Sequence, residues 1–104
     1  MAIENIAIID VISIDLSGNV VLTISDDLKW DDRHLLLLQN KINAYLHAIE
    51  DGEIFRVYPD ALGRKFVINV VAKYIPDGNA NIFLNQTKEV LNSSGYGFTF
   101  NVLD

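Results

Sequence analysis

Apolar residues recur along this chain with two different periods, and the order in which the periods alternate limits the folds open to it. From Ile6 to Leu16 the period is two, with Ile8, Asp10, Ile12, Ile14 and Leu16 on one side and Ala7, Ile9, Val11, Ser13 and Asp15 on the other; Val20 to Ser25 repeats the pattern. Both segments read as strands. Ser17-Gly18-Asn19 between them supplies residues that accept positive φ, so the two strands are expected to form a hairpin. The period then lengthens: Leu35, Leu38, Ile42, Tyr45, Leu46 and Ile49 recur at three- and four-residue steps. Asp31 or Asp32 can accept the free amides of a first turn, and Gly52 supplies a stop, which predicts a helix from about Asp32 to Glu50.

Glu53 to Gly63 reads as a connection, with turn chemistry in Pro59-Asp60-Ala61-Leu62-Gly63; its Ile54-Phe55-Arg56-Val57-Tyr58 could pair briefly as a strand. Period two returns from Arg64 to Tyr74, with Phe66, Ile68, Val70, Ala72 and Tyr74 opposite Val67, Asn69, Val71 and Lys73, the pattern of a central strand. Pro76-Asp77-Gly78-Asn79 breaks it and caps a second helix, whose inward face is Ala80, Phe83, Leu84, Thr87, Val90 and Leu91 and whose stop is Gly95. Phe98, Phe100 and Val102 alternate with Thr99, Asn101 and Leu103 as a last strand. The expected order is ββαβαβ. At 104 residues this is one globular domain spanning 1–104. The economical packing is an α+β two-layer sandwich, a four-stranded sheet with two helices packed on one face.

The uncovered sheet face would carry Val11, Val21, Val67 and Val71 beside Ser13, Thr23, Asn69, Lys73, Thr99 and Asn101. That mixture is too apolar for a freely solvated surface and too polar for a core. Leu36 and Leu37 repeat the hint, because both lie off the helical stripe built by Leu35, Leu38, Ile42 and Ile49. Val21, Val67, Val71, Leu36 and Leu37 are therefore candidates for self-association as a homodimer; scattered exposed apolar residues are the plainer alternative.

Charge is concentrated elsewhere. Of a net −6, all is carried by residues 1–32, where seven acids meet Lys29 alone. Asp26, Asp27, Asp31 and Asp32 surround Trp30 and form a negative spot, a candidate site for a basic protein partner. The same aspartates also serve as helix caps, and Trp30 also reads as a lid folded over the open end of the core. No metal or other cofactor is expected: the spacing lacks the alternating ligands, glycine and closing glutamate of a calcium-binding helix–loop–helix motif. His34 lies near Asp31 and Asp32, yet the positive end of a helix dipole opposes its cation and no nucleophile accompanies it, so it reads as a surface or half-buried histidine. His47 and Asp51 form an exposed pair four residues apart. Gly95-Tyr96-Gly97 and Pro76-Asp77-Gly78 lack the full spacing of a phosphate-binding loop.

The absence of cysteine removes disulfides, thiolate nucleophiles and cysteine-bound zinc, and fits a cytoplasmic protein. Met1-Ala2-Ile3-Glu4-Asn5 lacks the basic start of a secretory signal, and Leu35 to Leu38 is far too short to span a bilayer. A pI near 4.6 argues against nucleic acid and anionic membranes as partners.

Val21-Leu22-Thr23-Ile24-Ser25-Asp26, Trp30, His34-Leu35-Leu36-Leu37-Leu38-Gln39, Lys41-Ile42-Asn43-Ala44-Tyr45-Leu46, and Tyr58-Pro59 with Gly63 together resemble an uncharacterised family of bacterial proteins of about this length, across nearly the whole chain. The resemblance implies a bacterial cytoplasmic protein and brings no activity, cofactor or catalytic residue with it. The expected function is a small, acidic, non-catalytic protein-interaction domain that self-associates. An immunity- or antitoxin-like protein that neutralises a basic partner through the acidic loop is the alternative. An enzyme or metal-binding protein that uses the Asp26–Asp32 cluster and His34 comes third; catalysis would require residues distant in sequence, such as His34, Asp26 and Arg64, to meet in one cleft.

Overall fold

The computed structural model of the protein describes residues 11–103. Within them the order is β1 (Val11–Ile14), β2 (Val20–Asp26), α1 (Asp32–Glu50), α2 (Ile54–Val57), a 3-10 turn (Pro59–Ala61), β3 (Phe66–Ala72), α3 (Gly78–Ser93) and β4 (Gly97–Val102). The strands form one open sheet in the order β1-β2-β3-β4. β1 and β2 are an antiparallel hairpin, whereas β2 with β3 and β3 with β4 run parallel, each parallel step being crossed by a long helix. The part of the expected first strand from Ile6 to Asp10 lies outside the described residues.

Alternation decides which face is covered. In β2 and β3 every second residue is buried and those between are only half-buried, so α1 and α3 pack on the same face of the sheet. The core joins Val20, Leu22 and Ile24 of β2 to Phe66, Ile68 and Val70 of β3, Phe98 of β4, and Leu38, Ile42, Tyr45, Ile49, Leu84 and Leu91 of the helices. This is the expected α+β two-layer sandwich.

The turns are fixed by specific donors and acceptors. Asp15 Oδ1 accepts the amides of Ser17 and Asn19, both at 2.9 Å, and Gly18 takes φ +85° to close the hairpin. The Asn19 amide, the main stabiliser of the carboxylate form, holds the Asp15 carboxyl below its ordinary value. Asp31 caps α1 through the His34 amide at 2.8 Å, and Asp77 caps α3 through the Ala80 amide at 2.8 Å. Gly95, at φ +90°, ends the α3 turn. Gly97 is needed for a different reason: a Cβ there would lie 2.9 Å from Cγ2 of Val67, its register partner on β3.

Two expectations need correction. Ile54 to Tyr58 is not a strand: it forms α2 and leads into the 3-10 turn, so the order ββαβαβ gains a short helical insertion. The reason is topological, since β3 already has β2 on one side and β4 on the other and leaves no slot in the sheet centre. Ile54 and Ala61 instead anchor the connection by burying in the core. Val90, expected on the inward face of α3, is exposed, with Leu91 taking the buried position beside it.

Candidate functional site

β2 delivers its residues alternately inward, and the alternation runs on past Ile24 to place Asp26 on the core side at the C-terminal end of the strand, 2 % exposed. A carboxylate there requires a partner. Opposite it, α1 presents His34 on the same stripe as Leu38, Ile42, Tyr45 and Ile49, and His34 is 1 % exposed. The two meet: His34 Nε2 is hydrogen-bonded to Asp26 Oδ2. His34 Nδ1 lies 2.9 Å from the Lys29 carbonyl oxygen, which can only accept, so Nδ1 carries a hydrogen. The proton between Nε2 and Oδ2 then makes the pair either imidazolium with carboxylate or imidazole with carboxylic acid, and neutral overall in both cases.

Trp30 closes this end of the core. Its ring stacks on His34 at 4.0 Å between centroids and 17° between planes, and tilts against Phe100 at 6.0 Å. Its Nε1 donates to the Tyr74 carbonyl at 2.9 Å, which ties the loop after β2 to the loop after β3. The histidine, expected at the surface or half-buried, is thus sealed beneath a tryptophan. Both members of the pair are thereby shut off from solvent. Arg64, the third member of the conceivable catalytic set, bonds the carbonyls of Asp60 and Gly18 by the β1–β2 turn, at the opposite end of β2 from Asp26.

The four aspartates do not converge. Asp26 points inward to His34, Asp31 caps α1, and Asp27 and Asp32 are exposed. Among the described residues no group of three or more histidine, aspartate or glutamate side chains is placed to hold a metal ion. The exposed part of the loop, Asp27 to Arg33, sets Asp27, Asp31 and Asp32 against Lys29 and Arg33.

The self-association candidates fall on two surfaces. Val21, Val67 and Val71 lie half-buried on the uncovered sheet face. There Asn69 links the strands: its Oδ1 accepts from Thr99 Oγ1 at 2.7 Å and from Asn101 Nδ2 at 3.3 Å. Every residue that the described strands turn to this face is uncharged: Val11 and Ser13, then Val21, Thr23 and Ser25, then Val67, Asn69 and Val71, then Gly97, Thr99 and Asn101; Lys73, also expected on this face, lies one residue past the end of β3 and is exposed. On the helical side Leu37 is partly buried against the core, while Leu36 is 58 % exposed. Between α1 and α3 runs a cleft of about 330 Å³, floored by Ile42, Leu46, Phe83 and Leu91 and rimmed by the amides of Gln39, Asn43 and Gln86.

Sequence reasoning missed Lys41, which is fully buried on α1 with its Nζ 5.3 Å from the centre of the Tyr45 ring. The signal was its spacing, since Lys41 falls on the inward stripe seven residues after His34. Tyr96 is a further titratable group set apart by its surroundings: burial, followed by the neighbouring Glu50, pushes its phenol above the ordinary value.

Among the described residues, a mixed four-stranded sheet with helices on one face, a sealed Asp26–His34 pair and an uncharged outer strand face define a small two-layer α+β domain. The chain belongs to the DUF6572 family, a family of unknown function, whose model matches residues 1–104. Comparison with curated proteins and with solved structures gives no match. No helix among the described residues is long and apolar enough to cross a membrane.

Proposed function

We propose that this protein is a non-catalytic protein-interaction domain of the bacterial cytoplasm whose partner is a second copy of itself. One observation carries the reading: a chain of net charge −6 keeps the outward face of its described strands free of charge. Like-charged copies repel one another over about a Debye length, ~8 Å at physiological salt, so the favourable approach is across the surface with no charge to oppose. Valines set among hydroxyls and amides can be desolvated there without stranding an ion.

The acidic-loop alternative, an immunity- or antitoxin-like capture of a basic protein, draws support from the exposure of Asp27, Asp31 and Asp32. Its support is the weaker, because Asp26 is neutralised by His34 and Lys29 and Arg33 interleave the rest. Size-exclusion chromatography with light scattering tests the preferred reading. A mass above the 11.7 kDa of the chain, rising with concentration through the micromolar range, is the expected result; 11.7 kDa throughout overturns it.

A further inference from the structure

β4 is an edge strand, and among the described residues nothing pairs with its outer side. Natural sheet edges are usually blunted by lysine, proline, a bulge or shortness. This one has none of these. Its six residues, Gly-Phe-Thr-Phe-Asn-Val, carry no charge and no proline, and the register with β3 runs unbroken from Val67↔Gly97 to Ala72↔Val102. The Leu103 amide donates to the Ala72 carbonyl at 2.8 Å, so the odd-numbered residues turn their backbone groups toward β3. By alternation the N–H and C=O of Phe98, Phe100 and Val102 face outward as a regular row that no strand among the described residues pairs with. Beside that row, between α3 and β4, lies a groove of about 390 Å³ lined by Asn81, Asn85 and Lys88 of α3 and by Phe98 to Asn101.

We propose that the self-association argued above closes along this equally uncharged edge instead of over the open face, two β4 strands pairing antiparallel about a two-fold axis at Phe100 to make one continuous eight-stranded sheet in which the uncharged faces of the two copies join side by side. The inference rests on the self-association reading and names its interface. The row is complementary to itself. With Phe100 opposite Phe100 of the partner subunit, and Phe98 opposite Val102 of the partner subunit, each outward N–H meets an outward C=O. On the open face Thr99 then stands across from Asn101 of the partner subunit, a hydroxyl against an amide. The charges also agree with this arrangement. α3 runs opposite to β4, so Lys88, the one charged side chain among the described residues lining the groove, stands near Phe98 and meets the Asn81 end of the partner's helix instead of the partner's Lys88.

The chain has no cysteine, so single introduced thiols report register without interference. Thr99→Cys and Asn101→Cys are both at exposed positions and leave the core untouched. Under mild oxidation a mixture of the two variants is expected to form disulfide-linked dimers, since opposed residues at such a position lie about 4.5 Å apart between Cα atoms. Each variant alone is expected to cross-link far less, its own partner thiol being displaced along the seam. The double variant Thr99→Lys/Asn101→Lys sets lysine against lysine across the axis and should weaken dimerisation by about tenfold or more, with an unchanged circular dichroism spectrum. A native dimer that persists in the lysine variant, or that gives no excess of mixed cross-links, overturns this seam and leaves self-association standing. A native chain that stays monomeric at every concentration overturns both.

Discussion

Breaking the Asp26–His34 pair should be the most damaging polar substitution in the described part of the protein. Asp26→Ala leaves an imidazole 1 % exposed, with one nitrogen satisfied by the Lys29 carbonyl and the other facing a void. A buried pair broken from one side loses about 3–5 kcal/mol, because the surviving group keeps its desolvation and loses its compensation. The Leu28 amide also loses its Asp26 acceptor, but at 3.3 Å and part-buried that bond adds little. Domains of this kind are stable by only about 5–15 kcal/mol, so the single change removes roughly a fifth of the total or more. Replacing both members with apolar groups of similar shape, Asp26→Leu with His34→Phe, keeps a flat ring beneath Trp30 and strands no polar atom. The double variant should therefore lose at least about 2 kcal/mol less than the two single losses added together. Urea unfolding followed by far-ultraviolet circular dichroism, at one protein concentration and neutral pH, measures the native chain, Asp26→Leu, His34→Phe and the double variant. Single losses below about 1 kcal/mol, or strictly additive losses, would refute the claim that a sealed, neutral pair holds this end of the fold.

Gly97→Ala should destabilise by about 1–3 kcal/mol, since its Cβ would sit 2.9 Å from Val67 Cγ2; Val67→Ala in the same chain should recover most of the loss, as thermal unfolding of the three variants would reveal. Asp77→Ala should cost about 1 kcal/mol through the lost cap on α3, whereas Asp77→Asn should cost much less, a comparison read from urea midpoints. Tyr96, held protonated above its ordinary value of 10.0, contributes stability that is present below that pH and lost as pH rises through its folded value; Tyr96→Phe should flatten the alkaline limb of a stability–pH curve. Asp15 acts in the opposite range. Its lowered carboxyl contributes stability that is present above 3.8 and lost as pH falls through the folded value, so Asp15→Asn should flatten the acid limb of the same curve.

The architecture was legible because both periods in this chain are long and clean. Val20 to Ser25 and Arg64 to Tyr74 alternate without interruption, and the stripe from Leu38 to Ile49 has no competing pattern, so propensity and burial agree. Ile54 to Tyr58 misled because five residues rich in β-branched and aromatic types cannot register that β3, the next strand, already has β2 on one side and β4 on the other; only the order of all four strands decides that. The site was legible in one half. The alternation of Val20, Leu22 and Ile24 carries Asp26 to the core face, and an inward carboxylate demands a partner. His34 lies on the inward stripe of the next helix, which made it the nearest group able to answer. The helix dipole taken alone argues for a histidine near the surface; the inward carboxylate of Asp26 reverses that. Asp31 and Asp32 were correctly seen as cap candidates, and the structure assigns the cap to Asp31. Which strand would be left at the edge was invisible in the sequence, because parallel and antiparallel neighbours share the same period.

Residue-resolved amide exchange over a range of protein concentrations tests the self-paired edge most directly. The amides of Thr99, Asn101 and Leu103 face β3 and should exchange slowly throughout. Those of Phe98, Phe100 and Val102 should exchange rapidly in dilute solution and slow as concentration rises, in step with the increase in mass. Exchange of those three amides that stays rapid while the mass doubles would contradict the β4 seam, and a mass that never rises would contradict self-association itself.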